Sequence, residues 1–176
     1  MWRFLIPAGL FVALLAFFFA SLDRDKETLP SPLIGKPAPT FELPALGDPA
    51  RKVASSQFAG KPYVLNVWGT WCVGCRQEHE VLLEIARRTQ VPIVGLNWKD
   101  DSAAAQRWLQ ELGNPYSVVA ADEEGRAAID WGVYGAPETF LVDARGTVIF
   151  KHIAPMTLEV WERDFVPLLA KAGVQP

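Results

Sequence analysis

The only two cysteines of the chain, Cys72 and Cys75, stand two residues apart in Trp71-Cys72-Val73-Gly74-Cys75. A thiol pair at this spacing can cycle between dithiol and disulfide if one sulfur is held as a thiolate. The flanking residues supply the means. Tyr63-Val64-Leu65-Asn66-Val67-Trp68 is nearly continuously apolar, as a strand covered on both faces should be, and Arg76-Gln77-Glu78-His79-Glu80 can open a helix. At a helix N-terminus, unpaired N–H groups and partial positive charge favour an anionic sulfur. Lowering a thiol from about 8.5 to about 7 raises its thiolate fraction at neutral pH from a few per cent to roughly half, a change worth about 2 kcal/mol. Cys72, just outside the helix, is expected to be the more exposed of the two and the nucleophile. Cys75, one turn inside, is expected to resolve the mixed disulfide by attacking Cys72. The other reading is an inert cystine or two buried thiols.

Other side chains are candidates to shape that chemistry. Trp71 is expected to shield the sulfurs and offer a flat apolar contact surface, unless it is one more core residue among seven tryptophans. Glu78, three residues past Cys75, shares its side of the helix, and either tunes the site or stabilises the helix start. Pro137, in Gly135-Ala136-Pro137-Glu138-Thr139, precedes a strand. A cis bond there would free its neighbour's backbone to pair with an extended substrate, although only about 5–6% of X–Pro bonds are cis. Glu138 has two readings: a carboxylate that raises the thiol pKa values and relays the Cys75 proton, or a solvated charge at a strand end. Asn66, mid-strand among apolar neighbours, needs buried hydrogen-bond partners. His79 and His152 read as surface residues, and Lys99-Asp100-Asp101 as a loop turn.

The elements that must hold these residues alternate. A strand over 63–68 is followed by a helix over about 75–89, with Val81, Leu82, Ile85 and Ala86 on one face. A second buried strand spans 91–98, with Pro92 at its start. Ser102 is expected to cap a helix carrying Ala104, Ala105, Trp108, Leu109 and Leu112. A short strand over 116–120 and a short helix over 123–130 follow. Residues 139–143 and 147–151 flank Ala144-Arg145-Gly146 as a β-hairpin. Thr157 caps a last helix that Pro167 should kink. The segment Gly35 to Pro44 is too proline-rich for a central strand and suits an extended edge. This order gives an α/β domain with a mixed central sheet flanked by helices.

Composition narrows the partners. Half of the 176 residues are apolar, enough for one domain with a substantial core. The net charge of −3 and the lack of a basic stripe argue against nucleic acid. Two cysteines make neither a disulfide scaffold nor a zinc site, and no cofactor or metal is expected. Phe4 to Leu22 is uncharged, and as a helix would cover about 28 Å, close to the roughly 30 Å hydrocarbon layer. Phe18 lies two residues before Ala20, so no good cleavage site ends the run. Residues 1–22 are therefore read as an uncleaved signal anchor, 23–33 as a tether and 34–176 as the folded domain. Export would place the cysteines where a disulfide persists.

Taken together, Trp71-Cys72-x-x-Cys75 after a buried strand and a distant Ala136-Pro137 before a later one resemble the thioredoxin fold. Val67-Trp68-Gly69-Thr70-Trp71-Cys72, Arg76-Gln77-Glu78-His79, Gly95-Leu96-Asn97-Trp98-Lys99-Asp100-Asp101, Gly113-Asn114-Pro115-Tyr116 and Gly132-Val133-Tyr134-Gly135-Ala136-Pro137-Glu138-Thr139-Phe140 narrow it. They resemble the membrane-anchored DsbE/CcmG family of cytochrome c biogenesis, as do Ile34 to Leu46 and the N-terminal run. The resemblance implies a cis Pro137 close to Cys72, and Glu78 and Glu138 as acidic active-site residues. It also implies reduction of the haem-site disulfide of apocytochrome c, or of a partner thiol protein, with a membrane thiol reductase as electron donor. The expected location is a bacterial inner membrane, single-pass, with the catalytic domain in the periplasm. Three departures stand out. Val73-Gly74 replaces the usual proline-containing dipeptide, Asn66 takes the place of the buried aspartate of ordinary thioredoxins, and Ala154 stands where a glycine is expected. Rival readings are a general exported oxidant or isomerase, and a copper(I) chaperone using Cys72, Cys75 and His152.

Overall fold

Two unbroken apolar stretches, Tyr63–Trp68 (β3) and Ile93–Trp98 (β4), run parallel through the middle of a seven-stranded sheet. Every side chain of β3 is buried, because helices cover both faces of the sheet at this point. The computed structural model describes residues 2–22 and 31–172, with side chains from 4 to 19 in the first stretch. Val118–Asp122 (β5) continues the parallel set beside β4. On the other side of β3, Glu138–Val142 (β6) pairs antiparallel, and Val148–His152 (β7) closes a hairpin with it. Glu42–Ala45 (β1) and Asp48–Ala54 (β2) form a second hairpin next to β5, giving the order β2-β1-β5-β4-β3-β6-β7. The mixed sheet expected for a thioredoxin-like α/β domain is present.

One core lies under Val73–Arg88 (α2) and Ser102–Leu112 (α3), where Leu82, Ile85, Ala105 and Trp108 pack with both cysteines. The C-terminal helix joins this side through Trp161, Phe165 and Leu169. The opposite face is closed by Arg126–Asp130 (α4) and Trp131, which pack with Phe140, Val142 and Leu65. Each large apolar side chain buried this way contributes roughly 1.5–3 kcal/mol.

Several local expectations are corrected. The segment expected to be an edge holds β1 between two neighbours, because β2 lies outside it. Pro44 is accommodated beside a register irregularity with β2, and β1 meets β5 only at Ala45↔Ala120. Asp101, not Ser102, caps α3: its carboxylate accepts the Ala104 N–H at 2.7 Å, while the Ser102 hydroxyl donates to Glu123. The strand expected at 116–120 begins at Val118, since Tyr116 turns into the core. The helix expected from Glu123 begins at Arg126, where Asp122 accepts the Ala127 and Ala128 N–H groups. Thr157 caps the last helix as expected, with its hydroxyl accepting the Val160 N–H. That helix runs from Leu158–Val160 (α5) through a π turn, Trp161–Phe165, into Val166–Lys171 (α6). The wide turn lies just before Pro167, whose missing N–H interrupts the ordinary pattern.

At the N-terminus Trp2–Leu22 (α1) is helical over 21 residues and its described side chains, Phe4 to Phe19, are exposed. Among the described residues no helix is long and apolar enough to cross a membrane. The tether expected over 23–33 lies largely outside the described residues, as do 173–176.

Candidate functional site

The strand β3 ends at Trp68, and four residues later Cys72 becomes the N-cap of α2. Its Sγ accepts the backbone N–H of Cys75 at 3.0 Å. Sulfur thus takes the place of the oxygen that normally caps a helix, and the first turn directs its donors at it. The two cysteines are joined as a disulfide, with Cα atoms 5.2 Å apart. Cys72 is 4% and Cys75 3% exposed, so the expected difference in exposure is absent. What separates the pair is the capping hydrogen bond. Pro137 and Pro155 press on the dipeptide between them. A Cβ on Gly74 would lie 2.8 Å from Pro137 Cδ and 3.2 Å from Pro155 Cγ, so only glycine admits both rings. The Ala136–Pro137 bond is cis.

The loop entering α2 is fixed by Asp100. Its carboxylate accepts the Thr70 N–H at 2.7 Å and the Thr70 hydroxyl at 2.6 Å, and it also accepts from the Asn97 amide at 2.9 Å. Lys99-Asp100 is therefore more than the loop turn that its sequence suggests. Trp71 is half exposed, with its indole N–H donating to the Trp98 carbonyl at 3.2 Å and its ring edge-on to Trp98. It is not a core tryptophan. Val73 beside it is also exposed, so the rim of the disulfide is apolar.

Beneath the disulfide the expected buried role of Asn66 is met by a closed network. The Asn66 amide donates to Glu78 Oε1 at 2.9 Å and to Thr139 Oγ1 at 3.0 Å, and Asn66 Oδ1 accepts the Tyr116 hydroxyl at 2.8 Å. Glu78 Oε2 accepts the Met156 N–H at 2.7 Å. Burial pushes the Glu78 carboxyl up to about 7, against the pull of these two hydrogen bonds toward the ionised form. The same burial, with the nearby Glu78 charge, raises Tyr116 well above its ordinary value. Glu78 thus holds a carboxyl near neutrality one helical turn past Cys75.

Glu138 is also fully buried, which removes the reading as a solvated charge. Thr139 reaches Asn66 on the α2 side, and successive residues of a strand point to opposite faces. Glu138 accordingly sits over the other face. Its Oε1 accepts the Tyr134 N–H at 2.8 Å and the Gly135 N–H at 3.3 Å, and its Oε2 lies 2.9 Å from Lys151 Nζ as an ion pair.

The histidines are corrected from surface to interior. His79 and His152 are both buried. His79 accepts the Trp108 indole N–H at Nδ1, so Nε2 carries the proton it donates to the Gly113 carbonyl. Burial, then the Arg76 charge, holds His79 below the ordinary imidazole value. Among the described residues no group of three His, Cys, Asp or Glu side chains is placed to hold a metal ion. Tyr116, Thr139, Asp100, Lys151 and Pro155 belong to the site's surroundings but were not found from sequence. Asp100, Tyr116 and Thr139 lie in the segments that carry the family resemblance, whereas Lys151 and Pro155 carry no sequence signal.

Three comparisons agree with this geometry. The Redoxin family matches residues 33–166. The thiol:disulfide interchange protein DsbE of Allochromatium vinosum is 46% identical over 169 residues, covering 96% of this chain and 93% of that one. The DsbE proteins of Pseudomonas aeruginosa and Escherichia coli are 46% and 42% identical, over 98% and 95% of this chain and 95% and 93% of theirs. The crystal structure of a thio-disulfide isomerase from Thermus thermophilus superposes with a TM-score of 0.66 at 23% identity, covering 81% of this chain and 99% of that one.

Proposed function

The chain belongs to the DsbE family of thiol:disulfide interchange proteins, within the Redoxin fold family, and from that premise we propose that it is the reductant of a haem-site disulfide in cytochrome c maturation. The observation that carries this reading is the capping of α2 by Cys72 Sγ with the buried Glu78 one turn beyond. In the dithiol form, the Cys72 thiolate attacks one sulfur of the substrate disulfide. A Cys72–substrate disulfide forms and the first substrate thiolate leaves. Cys75 gives up its proton, to the Glu78 carboxylate, and attacks Cys72 Sγ. The second substrate thiolate leaves and the internal disulfide remains. Two electrons have moved from Cys72 and Cys75 to the substrate. A membrane thiol reductase returns them by the reverse exchange.

Trp71 and Val73 frame the apolar rim over which an extended polypeptide approaches, the buried Pro137 packs against Gly74 beside it, and Glu138 holds the loop that carries Pro137. Residues 1–22 anchor the chain as a single span in a bacterial inner membrane. Residues 23–33 tether the 34–176 domain on the periplasmic side, where the substrate's own cysteines oxidise. The test is capture. Cys75→Ser in the native membrane should accumulate a disulfide-linked adduct to an apocytochrome c or another thiol protein of that assembly. Cys72→Ser should accumulate none. Adducts on the Cys72 variant would reverse the roles, and capture of many unrelated exported proteins would make the chain a general exchanger.

A further inference from the structure

Lys151 is a buried cation that the exchange reaction does not use. Its side chain is 1% exposed and its ion-pair partner Glu138 is 0% exposed. A buried pair of this type can often be exchanged for apolar residues at no cost in stability, so the sheet alone does not call for it. What the pair adds is contact with one loop. Lys151 Nζ donates to the Gly132 carbonyl at 2.8 Å and lies 4.4 Å from the centroid of the Tyr134 ring. Glu138 accepts the N–H groups of Tyr134 and Gly135. The Gly132 and Val133 N–H groups bond to α4 carbonyls, but from Tyr134 onward the loop is held by this ion pair. The same loop ends at Pro137, against Gly74 between the cysteines, and leaves Tyr134 exposed.

We propose that Lys151 is a positioning residue: with Glu138 it latches the 132–137 loop, so that the exposed Tyr134 and the partly exposed Ala136, just ahead of the buried Pro137, meet the incoming polypeptide as one preformed surface beside the disulfide. This rests on the reading that Cys72 and Cys75 act on a polypeptide disulfide. A peptide would sense the latch, whereas a small disulfide that touches only the sulfurs would not. The ammonium contributes twice, through the carbonyl it binds and through attraction to the Tyr134 ring, which fixes the ring's inner face and leaves the outer one for substrate.

The test compares full-length wild type, Lys151→Met, Lys151→Arg and the double variant Glu138→Gln with Lys151→Met. The substrates are a synthetic peptide carrying a Cys-x-x-Cys-His disulfide and glutathione disulfide. The peptide KM should rise roughly tenfold in Lys151→Met, equal to about 1.4 kcal/mol, with kcat and the glutathione disulfide rate within about twofold of wild type. Lys151→Arg should restore most of the peptide KM. If Lys151→Met does not fold, the double variant, which leaves no unpaired charge, should show the same rise in peptide KM and the same faster exchange at Tyr134 and Gly135. Amide hydrogen exchange at Tyr134 and Gly135 should speed by about tenfold or more, while Leu141 in β6 stays protected. Unchanged Tyr134 and Gly135 exchange, or an unchanged peptide KM in a folded variant, overturns the latch. A wild type that reduces glutathione disulfide but not the peptide overturns the substrate reading instead. The latch is then decided by the exchange measurement alone.

Discussion

Replacing Glu78 with glutamine tests whether the site stores a proton near neutral pH. Glu78 is 1% exposed, and its carboxyl is raised from 4.5 to about 7 by burial. That difference of about 2.5, at 1.36 kcal/mol each, comes to about 3 kcal/mol. The direction follows from proton counting. Between pH 4.5 and 7 the native carboxyl keeps a proton that the unfolded one has lost, so stability falls as pH rises. The cost is absent below about 4.5 and complete above about 7. Glutamine cannot ionise and escapes it. Its amide nitrogen would face the Asn66 amide, so Asn66 must turn and the Tyr116 hydroxyl reorient, which costs about 1 kcal/mol at every pH. Relative to wild type, Glu78→Gln should therefore be about 1 kcal/mol less stable at pH 4 and about 2 kcal/mol more stable at pH 8. Urea unfolding of the disulfide form measures this with no thiol titrating. His79, whose lowered pKa costs stability below its ordinary value of 6.5, is common to both proteins and cancels in the difference. Parallel stability curves from pH 4 to 8 would mean that Glu78 ionises like a solvent-exposed carboxylate, and the proton-acceptor role would fall.

Two further substitutions probe the frame of the site. Gly74→Ala should gain up to about 1 kcal/mol of helix propensity, yet lose more to the contacts at 2.8 and 3.2 Å with Pro137 and Pro155. A net loss of about 1–3 kcal/mol in denaturant unfolding is expected, and a stabilised variant would mean that the prolines yield freely. Asp100→Ala removes the acceptor for the Thr70 N–H and hydroxyl. Stability should drop by about 2 kcal/mol, and the Thr70 amide should exchange at least about tenfold faster; a protected Thr70 amide would show that the loop is held by something else.

What the sequence reveals and conceals divides along range. The cysteine pair, β3 and α2 are readable because period and composition are local properties, as is the glycine between the cysteines. Burial of His79 was also readable in principle. It follows Cys75 by four residues and precedes Leu82 and Ile85 on the same inward stripe. The Asn66 network was not readable beyond its need for partners. Thr139 and Tyr116 lie 73 and 50 positions away, and only the Asn66↔Thr139 register joins the first to it. The opposed directions of Glu78 and Glu138 depend on that register too. Nothing local says that a glutamate at a strand end points away from the thiols toward a lysine on β7. β2 carries no hydrophobic pattern in the sequence because it is an exposed edge strand in which Val53 alone is buried.

The most direct test of Cys72 as the capped, nucleophilic sulfur is brief alkylation of the reduced protein with iodoacetamide across a pH series, with each cysteine mapped by mass spectrometry. Cys72 should be labelled first, with a midpoint well below the ordinary thiol value of about 8.5, and Cys75 should stay unlabelled. Labelling of Cys75 first, or equal labelling of both near about 8.5, would contradict a helix terminus that singles out one sulfur.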